Sequence, residues 1–262
     1  MRNPAPIRSC SSWQQLAIGN SLCLFPRRIA ATIYVVHISS AVFDCSAPNL
    51  DTCPDESLPE FAFIGRSNVG KSSLLNLLAG KDLARVSPVP GFTKLINFFT
   101  MNQSWRLVDL PGYGFAEGAK KDRARFNQAV SRYLKQRPNL CLVFALVDSG
   151  LEPQELDLTF VEWMVANAVP FVLVFTKVDH ALPAIVQANI AAFHERIAPW
   201  FQQAPASFTC SALKEHGRPQ LLAVIEEVLT AVQAESNQAD SAAAPVKQPA
   251  TRKKRPDLLR PW

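Results

Sequence analysis

The chain has 262 residues, of which 48% are hydrophobic and 19% charged, and its formal net charge at pH 7 is +5. This balance is typical of a globular protein, and the mild positive charge permits an anionic partner without requiring one. The six cysteines form no CxxC pair and have no matching histidine spacing, which argues against a disulfide framework and against a metal site.

An N-terminal extension is predicted over residues 1–40. Its longest apolar stretch, residues 29–43, is shorter than the about 20 residues of a membrane-spanning helix and contains His37, so no membrane span is predicted. No acidic residue precedes Asp44, while Arg and Ser are present, a composition similar to that of organellar transit peptides. Because the amphipathic pattern is weak, we favour an unstructured extension on a cytoplasmic protein, with organellar targeting as the alternative.

Apolar runs alternate with helical segments from residue 60 to residue 233, which is the pattern of a mainly parallel α/β sheet. The predicted strands are 60–65, 95–101, 105–110, 140–148, 170–179 and 206–210. The predicted helices are 71–80, 118–136, 153–168, 183–202 and 218–233. The expected fold class is therefore α/β, with a mostly parallel six-stranded sheet and helices on both faces.

A basic tail is predicted over residues 234–262. The composition there turns to Ala, Ser, Gln and Pro and ends in "TRKKRPDLLRPW". Such a segment has too few apolar residues to bury a core, so it is expected to be disordered.

A phosphate-binding loop is predicted at residues 65–72, "GRSNVGKS", because the pattern G-x-x-x-x-G-K-S follows a strand and opens a helix. Gly65 and Gly70 allow backbone N–H groups to close around phosphate oxygens, and the helix N-terminus adds favourable partial charge. Lys71 is expected to reach the β and γ phosphates, and Ser72 to offer its hydroxyl to Mg²⁺. A glycine turn that merely caps the strand is the alternative, which spacing and context both disfavour.

Two later strand ends indicate which nucleotide is bound. In "DLPG", residues 109–112, Asp109 can hold the Mg²⁺ shell through water and Gly112 can meet the γ-phosphate, although a strand-end turn explains this motif equally well. In "TKVD", residues 176–179, Asp179 can accept hydrogen bonds from N1–H and the 2-amino group of guanine, which adenine does not offer. The stem of Lys177 would pack over the base.

The last motif is "CSALK", residues 210–214, which follows the next strand. The backbone amides of Ser211 and Ala212 would be placed there to bind guanine O6. Alone this motif is nearly uninformative, but four motifs in this order, each at a strand end, are very specific together. They predict that the nucleotide is GTP, and "TKVD" disfavours a P-loop ATPase or a small-molecule kinase.

Over roughly residues 41–233 the chain resembles the EngB ribosome-assembly GTPases of the TRAFAC class. The matching segments are "SAPNLDTCPDESLPEFAFIGRSNVGKSSLLNLL", "PGFTKLINFF", "LVDLPGYGFA", "VFTKVD" and the spacing to "CSALK". The resemblance implies a Ras-like P-loop GTPase domain at 41–233, GTP hydrolysis with Mg²⁺, and a role in large ribosomal subunit assembly that normal cell division and septation require. It also implies GTP and GDP, the large-subunit precursor and its rRNA as partners, and we expect a monomer.

Carried over by position, the resemblance makes Thr93 in "GFTKL" the switch threonine that completes Mg²⁺ coordination. Phe92 and Lys94 stand where the family usually has Arg and Gln. The residues expected around the nucleotide are Gly65, Arg66, Ser67, Asn68, Val69, Gly70, Lys71, Ser72, Gly91, Phe92, Thr93, Lys94, Leu95, Asp109, Leu110, Pro111, Gly112, Thr176, Lys177, Val178, Asp179, Cys210, Ser211 and Ala212. Those expected to act in hydrolysis are Lys71, Thr93 and Gly112, and those expected at Mg²⁺ are Ser72, Thr93 and, through water, Asp109.

The hydrolysis machinery lacks one common part. Many GTPases place a Gln directly after Asp-x-x-Gly to orient the attacking water, and this chain has Tyr113 there. A phenol cannot do the same work at that reach, so slow intrinsic turnover is expected. Similar GTPases use an Asn at this place of the loop to help bind K⁺, so the resemblance implies that Asn68 helps to bind K⁺, whose charge would assist phosphoryl transfer; a loop hydrogen bond is its alternative role.

The helix after "DLPG" is rich in basic residues, namely Lys120, Lys121, Arg123, Arg125, Arg132, Lys135 and Arg137. It is expected either to bind rRNA or to be a solvated surface, and the two interpretations are evenly balanced. The tail residues 252–255, "RKKR", would add salt-sensitive affinity for RNA. The alternative to a GTPase switch is a non-catalytic scaffold of the division machinery that holds GTP structurally.

Overall fold

The computed structural model describes residues 36–84, 95–113 and 120–242, without the side chains of 120–127 and 237–242. The strands are β1 (Ala41–Ala47), β2 (Glu60–Gly65), β3 (Ile96–Met101), β4 (Trp105–Asp109), β5 (Leu140–Asp148), β6 (Phe171–Thr176) and β7 (Ser207–Thr209). The helices are α1 (Lys71–Ala79), α2 (Lys120–Gln136), α3 (Glu155–Ala166), α4 (Pro183–Ile197) and α5 (Arg218–Ala242). Short 3-10 turns lie at Leu50–Thr52 and Ala198–Trp200.

The strands form one sheet in the order β1-β3-β4-β2-β5-β6-β7. Strands β4, β2, β5, β6 and β7 run parallel, whereas β1 pairs with β3 and β3 with β4 in antiparallel fashion. The predicted mostly parallel α/β sheet is thus confirmed. Because the parallel strands all end at one edge, the loops that follow them converge there.

The predicted count of six strands is wrong, since β1 is a seventh. It lies at the edge of the sheet, where Val42 and Phe43 are exposed, so it has no continuous apolar face that its sequence would reveal. Its position depends on non-local pairing with β3, and the chain before it is fixed by Asn102, whose side-chain oxygen accepts from the backbone N–H groups of Ser39 and Ser40. Edge pairing of this kind has little local signal.

The central strands are buried on both faces, which confirms helices on both sides of the sheet. In β2, Phe61 and Phe63 point into one core and Ala62 and Ile64 into the other. The first core is closed by α1 and α5, and the second by α2, α3 and α4. This alternation follows from the two-residue period of a strand.

Most helix ends lie within about two residues of their predicted positions, and two differ by more. Helix α4 ends at Ile197, and the chain continues as a 3-10 turn through Trp200 rather than as a helix to 202. Helix α5 continues to Ala242, so the predicted end at 233 falls within it. Residues 234–242 of the predicted disordered tail are therefore helical, while the rest of that tail, 243–262, and residues 1–35 of the predicted extension lie outside the described residues. Along the described ranges, every helix is too short or too polar to cross a membrane.

Candidate nucleotide site

The sequence motifs meet at the carboxyl edge of the parallel strands. The register places Phe63 of β2 opposite Asp109 of β4, and Asp148 of β5 opposite Thr176 of β6. The loops that follow β2, β4, β6 and β7 therefore leave the sheet side by side. This is the edge at which open α/β sheets bind their ligands.

The phosphate loop bends sharply before α1 begins. Gly70 has φ +101°, a left-handed conformation that L side chains avoid, and its carbonyl accepts the Leu74 N–H at 2.9 Å to start the helix. Asn68 also has a positive φ, 64°, which Asn tolerates better than most residues. That conformation is compatible with the predicted loop role of Asn68, and its predicted role toward K⁺ stays a prediction.

Thr176 joins the phosphate loop to the sheet. Its buried hydroxyl lies 2.6 Å from the carbonyl oxygen of Val69 and 3.2 Å from that of Val147. The side chain of Thr176 therefore supports the phosphate loop through a hydrogen bond to the loop backbone. From sequence, Thr176 is predicted at the nucleotide only as part of "TKVD".

Replacing Thr176 by Val should weaken GTP and GDP binding equally and lower the free energy of unfolding by about 1–3 kcal/mol, because the buried Val69 carbonyl loses its donor. Nucleotide titration and urea denaturation measure the two effects. Thr159→Val on the exposed face of α3 is the matched control and should change neither. Unchanged affinity in the Thr176 variant would show that the hydroxyl does not support the loop.

Two of the predicted Mg²⁺ ligands are described, Ser72 in the first turn of α1 and Asp109 at the end of β4. Both offer oxygen, the donor atom that Mg²⁺ prefers. Asp109 is buried and forms an ion pair with Lys71 through Oδ1, while its Oδ2 accepts a 3.4 Å hydrogen bond from the amide of Asn97. The phosphate-loop lysine and the "DLPG" aspartate thus meet at one point, and this oxygen donor set fits Mg²⁺.

The base end of the site is built from β6 and β7. The Val178 N–H donates to the Cys210 carbonyl at 3.3 Å, and the Cys210 N–H donates to the Phe175 carbonyl at 2.8 Å, which fixes the two loops together. A hydrogen bond from Ser211 is the main cause that lowers the pKa of Asp179, so this carboxylate is ionised at neutral pH. An ionised carboxylate is the acceptor that the guanine edge requires.

One predicted contact with guanine does not fit the structure, because its backbone donor is already used. The Ser211 amide was expected to bind guanine O6, but its N–H donates to the His216 carbonyl at 3.1 Å. The His216 N–H also donates to the Ser211 carbonyl at 3.0 Å, so two backbone hydrogen bonds between these residues close the turn. Ser211 contributes through its hydroxyl to Asp179, and the predicted role of the Ala212 amide stays a prediction.

Lys177 has a partner that sequence reasoning missed. Its ammonium lies 2.7 Å from Asp148 Oδ2 at the end of β5, and its stem passes within 4.0 Å of where a Cβ on Gly70 would stand. The stem therefore runs beside the phosphate loop while Asp148 holds its end. Asp148 stands at the carboxyl end of a central parallel strand, and this position could have indicated its place at the site.

The "DLPG" turn lies directly against the phosphate loop. A Cβ on Gly112 would stand 3.0 Å from the Gly65 carbonyl oxygen and 3.1 Å from the Ser67 nitrogen, so only glycine fits without displacement. The Tyr113 N–H donates to the Gly65 carbonyl at 3.2 Å, and the Ser67 N–H donates to the Tyr113 carbonyl at 3.3 Å. The backbone on both sides of the contact is therefore hydrogen-bonded.

The side chains of Arg66 and Tyr113 both contact Asp157 of helix α3, which no sequence motif predicts at the site. Arg66 Nε lies 2.9 Å from Asp157 Oδ2, and the Tyr113 hydroxyl donates to Asp157 Oδ1 at 2.9 Å. Arg66, predicted at the nucleotide, can therefore contribute there through its backbone. Nothing in the local sequence of α3 marks Asp157, since an acidic residue in a first helical turn is common.

Part of the predicted site falls outside the described residues. Gly91, Phe92, Thr93 and Lys94 belong to this part, so the predicted switch threonine stays a prediction. Leu95 is described, and it is 40% exposed immediately before β3.

One of the basic residues predicted to bind RNA on or near α2 is buried. Arg137 is buried, and its guanidinium donates to both carboxylate oxygens of Glu60 at 2.7 and 2.9 Å, so it does not belong to a surface for RNA. Arg132 is 41% exposed and forms a pair with Asp51 at 3.2 Å. The side chains of 120–127 lie outside the described part of the chain, so the other basic residues there stay predictions.

Known proteins resemble this chain in sequence and in fold. The family model described as "50S ribosome-binding GTPase" matches residues 60–177. The "Probable GTP-binding protein EngB" of Phocaeicola vulgatus is 42% identical over 194 residues, covering 74% of this chain and 97% of that protein, and its namesake in Cytophaga hutchinsonii is 43% identical over 192 residues, covering 72% and 96%. The crystal structure of a probable GTP-binding protein engB has a TM-score of 0.50 at 23% identity, covering 67% of this chain and 99% of that one, and so supports the fold.

Proposed function

Because this chain belongs to the EngB family of GTP-binding proteins, we propose that it is a GTP-hydrolysing switch in the assembly of the large ribosomal subunit. The observation that carries the nucleotide part is that the "TKVD" loop contacts both the phosphate loop and the "CSALK" loop: the Thr176 hydroxyl lies 2.6 Å from the Val69 carbonyl oxygen, and the Val178 N–H donates to the Cys210 carbonyl at 3.3 Å. The ribosomal part is supported by the match to a family of 50S ribosome-binding GTPases. The proposal includes a cytoplasmic monomer whose loss impairs cell division and septation.

The proposed chemistry is positioning and electrostatic stabilisation, which phosphoryl transfer permits. Lys71 leaves Asp109 to reach the β and γ phosphates, because phosphate carries more charge than a single carboxylate. Ser72, Thr93 and, through water, Asp109 would hold Mg²⁺, and the bound ion would supply positive charge against the phosphate oxygens. Gly112 contacts the γ-phosphate through its backbone N–H, so this contact distinguishes GTP from GDP.

Intrinsic hydrolysis is proposed to be slow, because Tyr113 replaces the usual Gln and its hydroxyl is held by Asp157. Burial is the main cause that raises the pKa of Tyr113 well above its ordinary value, so the phenol is not a general base at neutral pH. A K⁺ ion bound with the help of Asn68, or contact with the ribosomal subunit, would supply the missing stabilisation.

Co-sedimentation with large ribosomal subunits and their precursors tests this function. We expect the full chain to pellet with these particles when loaded with a non-hydrolysable GTP analogue and to stay in the supernatant with GDP, since a switch must bind its partner differently in its two states. The GTP hydrolysis rate should be low for the protein alone in Na⁺ buffer and should rise with K⁺ or with added subunits.

Matched experiments with small subunits and with ATP analogues serve as controls. Equal pelleting in the GTP-analogue and GDP states would contradict the switch. A rate that neither K⁺ nor subunits change would favour the non-catalytic scaffold. A fast rate in Na⁺ buffer would contradict the proposed cause of slow turnover.

A further inference from the structure

A single carboxylate on helix α3 holds two parts of the nucleotide site together. Asp157 is 1% exposed, and it accepts hydrogen bonds from Arg66 Nε at 2.9 and 3.0 Å and from the Tyr113 hydroxyl at 2.9 Å. Arg66 belongs to the phosphate loop, and Tyr113 directly follows the glycine of "DLPG". Both partners are therefore tied to α3 through the same group.

Further contacts make this connection stiff. The ring of Tyr113 stacks on Phe160 with centroids 4.6 Å apart, and Phe160 stacks on Trp163 at 6.0 Å. Together with the two backbone hydrogen bonds of Tyr113 to the phosphate loop, these contacts hold its side chain and main chain at once. Gly112, one residue before, is thereby kept in contact with the loop.

The buried charge of Asp157 is costly to maintain. Burial is the main cause that raises the pKa of Asp157, and the positive charge of Arg66 opposes it. An apolar residue would pack at this place without that cost, but it could not accept hydrogen bonds from Arg66 and Tyr113. The carboxylate thus adds orientation to the packing of α3.

We propose that Asp157 is a positioning residue for the GTPase site: by holding Arg66 and Tyr113 it fixes Gly112 at the place where the γ-phosphate binds. The inference rests on the proposed contact between Gly112 and the γ-phosphate. Asp157 thereby increases the affinity for GTP relative to GDP without contacting the nucleotide itself. GDP has no γ-phosphate, so its binding does not depend on the position of Gly112.

Tyr113→Phe tests the inference with the smallest change, because it removes the hydroxyl and keeps the stacked ring. We expect the affinity for a non-hydrolysable GTP analogue to fall about tenfold and GDP affinity to stay within about twofold, measured by titration of fluorescent nucleotides. Asp157→Asn removes the negative charge that pairs with Arg66. It should lower the ratio of GTP-analogue to GDP affinity further. The rate of GTP hydrolysis at saturating GTP should fall in both variants.

Glu155→Gln is the matched control on the same helix. Glu155 is 78% exposed and pairs only with Arg196 among its described salt-bridge partners, so neither affinity should change. If Tyr113→Phe and Asp157→Asn lower both affinities equally, or lower only the melting temperature, Asp157 is merely structural and the inference is wrong. If the wild-type chain shows no preference for GTP over ATP, the proposed function itself fails, which is a separate result.

Discussion

Replacing Asp179 by Ala weakens the binding of GTP and GDP by about 10²- to 10⁴-fold and leaves the weak binding of ATP unchanged. Each hydrogen bond to a charged group contributes about 1.5–3 kcal/mol, and guanine donates two of them, from N1–H and the 2-amino group. The hydrogen bond from Ser211, which lowers the pKa of Asp179, orients the carboxylate for both donors. Adenine has no matching donor pair, so its binding does not depend on Asp179.

Competition titrations with a fluorescent guanine nucleotide measure this effect in the full chain. Glu195→Ala is the matched control, because Glu195 is an exposed acidic residue on helix α4, which follows Asp179 along the chain. It should alter guanine affinity by less than about twofold. A GTP-to-ATP preference that survives Asp179→Ala would contradict both the assignment of the base site and the proposed function that depends on it.

The phosphate loop, the strand ends and the guanine aspartate could be predicted from sequence because each is specified locally. A backbone cradle needs glycines at fixed spacing before a helix, and Gly70 is found with the positive φ that this requires. A parallel sheet then brings strand ends together whatever the rest of the chain does. Asp109 and Asp179 could therefore be placed at one edge before their contacts were known.

The supports of the site could not be predicted, because they depend on contacts between distant parts of the chain. Asp157 lies 91 residues from Arg66 and 44 residues from Tyr113, and no short motif encodes such a meeting. The same reason explains β1, whose strand conformation depends on pairing with β3. Arg137 was misplaced because a basic residue on a charged helix gives no local sign that it is buried against Glu60.

The opposite edge of the sheet contains a buried charge cluster that the nucleotide site does not use. Glu60, the first residue of β2, is 0% exposed and accepts hydrogen bonds from Arg137 at 2.7 and 2.9 Å and from the Tyr133 hydroxyl at 2.8 Å. Arg106 of β4, 5% exposed, lies 3.7 Å from the same carboxylate and donates to the Asp55 carbonyl at 2.6 Å. The cluster joins α2, β2, β4 and the segment before β2.

Replacing Glu60 by Gln should lower the free energy of unfolding by about 3–5 kcal/mol, because two buried guanidinium groups then lose their shared counter-charge. Nucleotide affinity of the folded protein should stay within about twofold, since Glu60 and the phosphate loop lie at opposite ends of β2, about 17 Å apart at the usual rise per residue. Urea denaturation of the variant at a fixed GDP concentration, followed by tryptophan fluorescence, measures the first effect, and nucleotide titration measures the second.

The exposed pair of Glu155 and Arg196 provides the comparison for this cluster. Its atoms approach to 2.8 Å, about as closely as those of Glu60 and Arg137, but the two side chains are 78% and 51% exposed. Solvent screens that pair, so Glu155→Gln should cost less than about 1 kcal/mol. If the two substitutions destabilise the protein equally, burial does not set the energy of the cluster. A loss of nucleotide affinity in folded Glu60→Gln would show that the two ends of β2 are coupled, which the separation of the sites argues against.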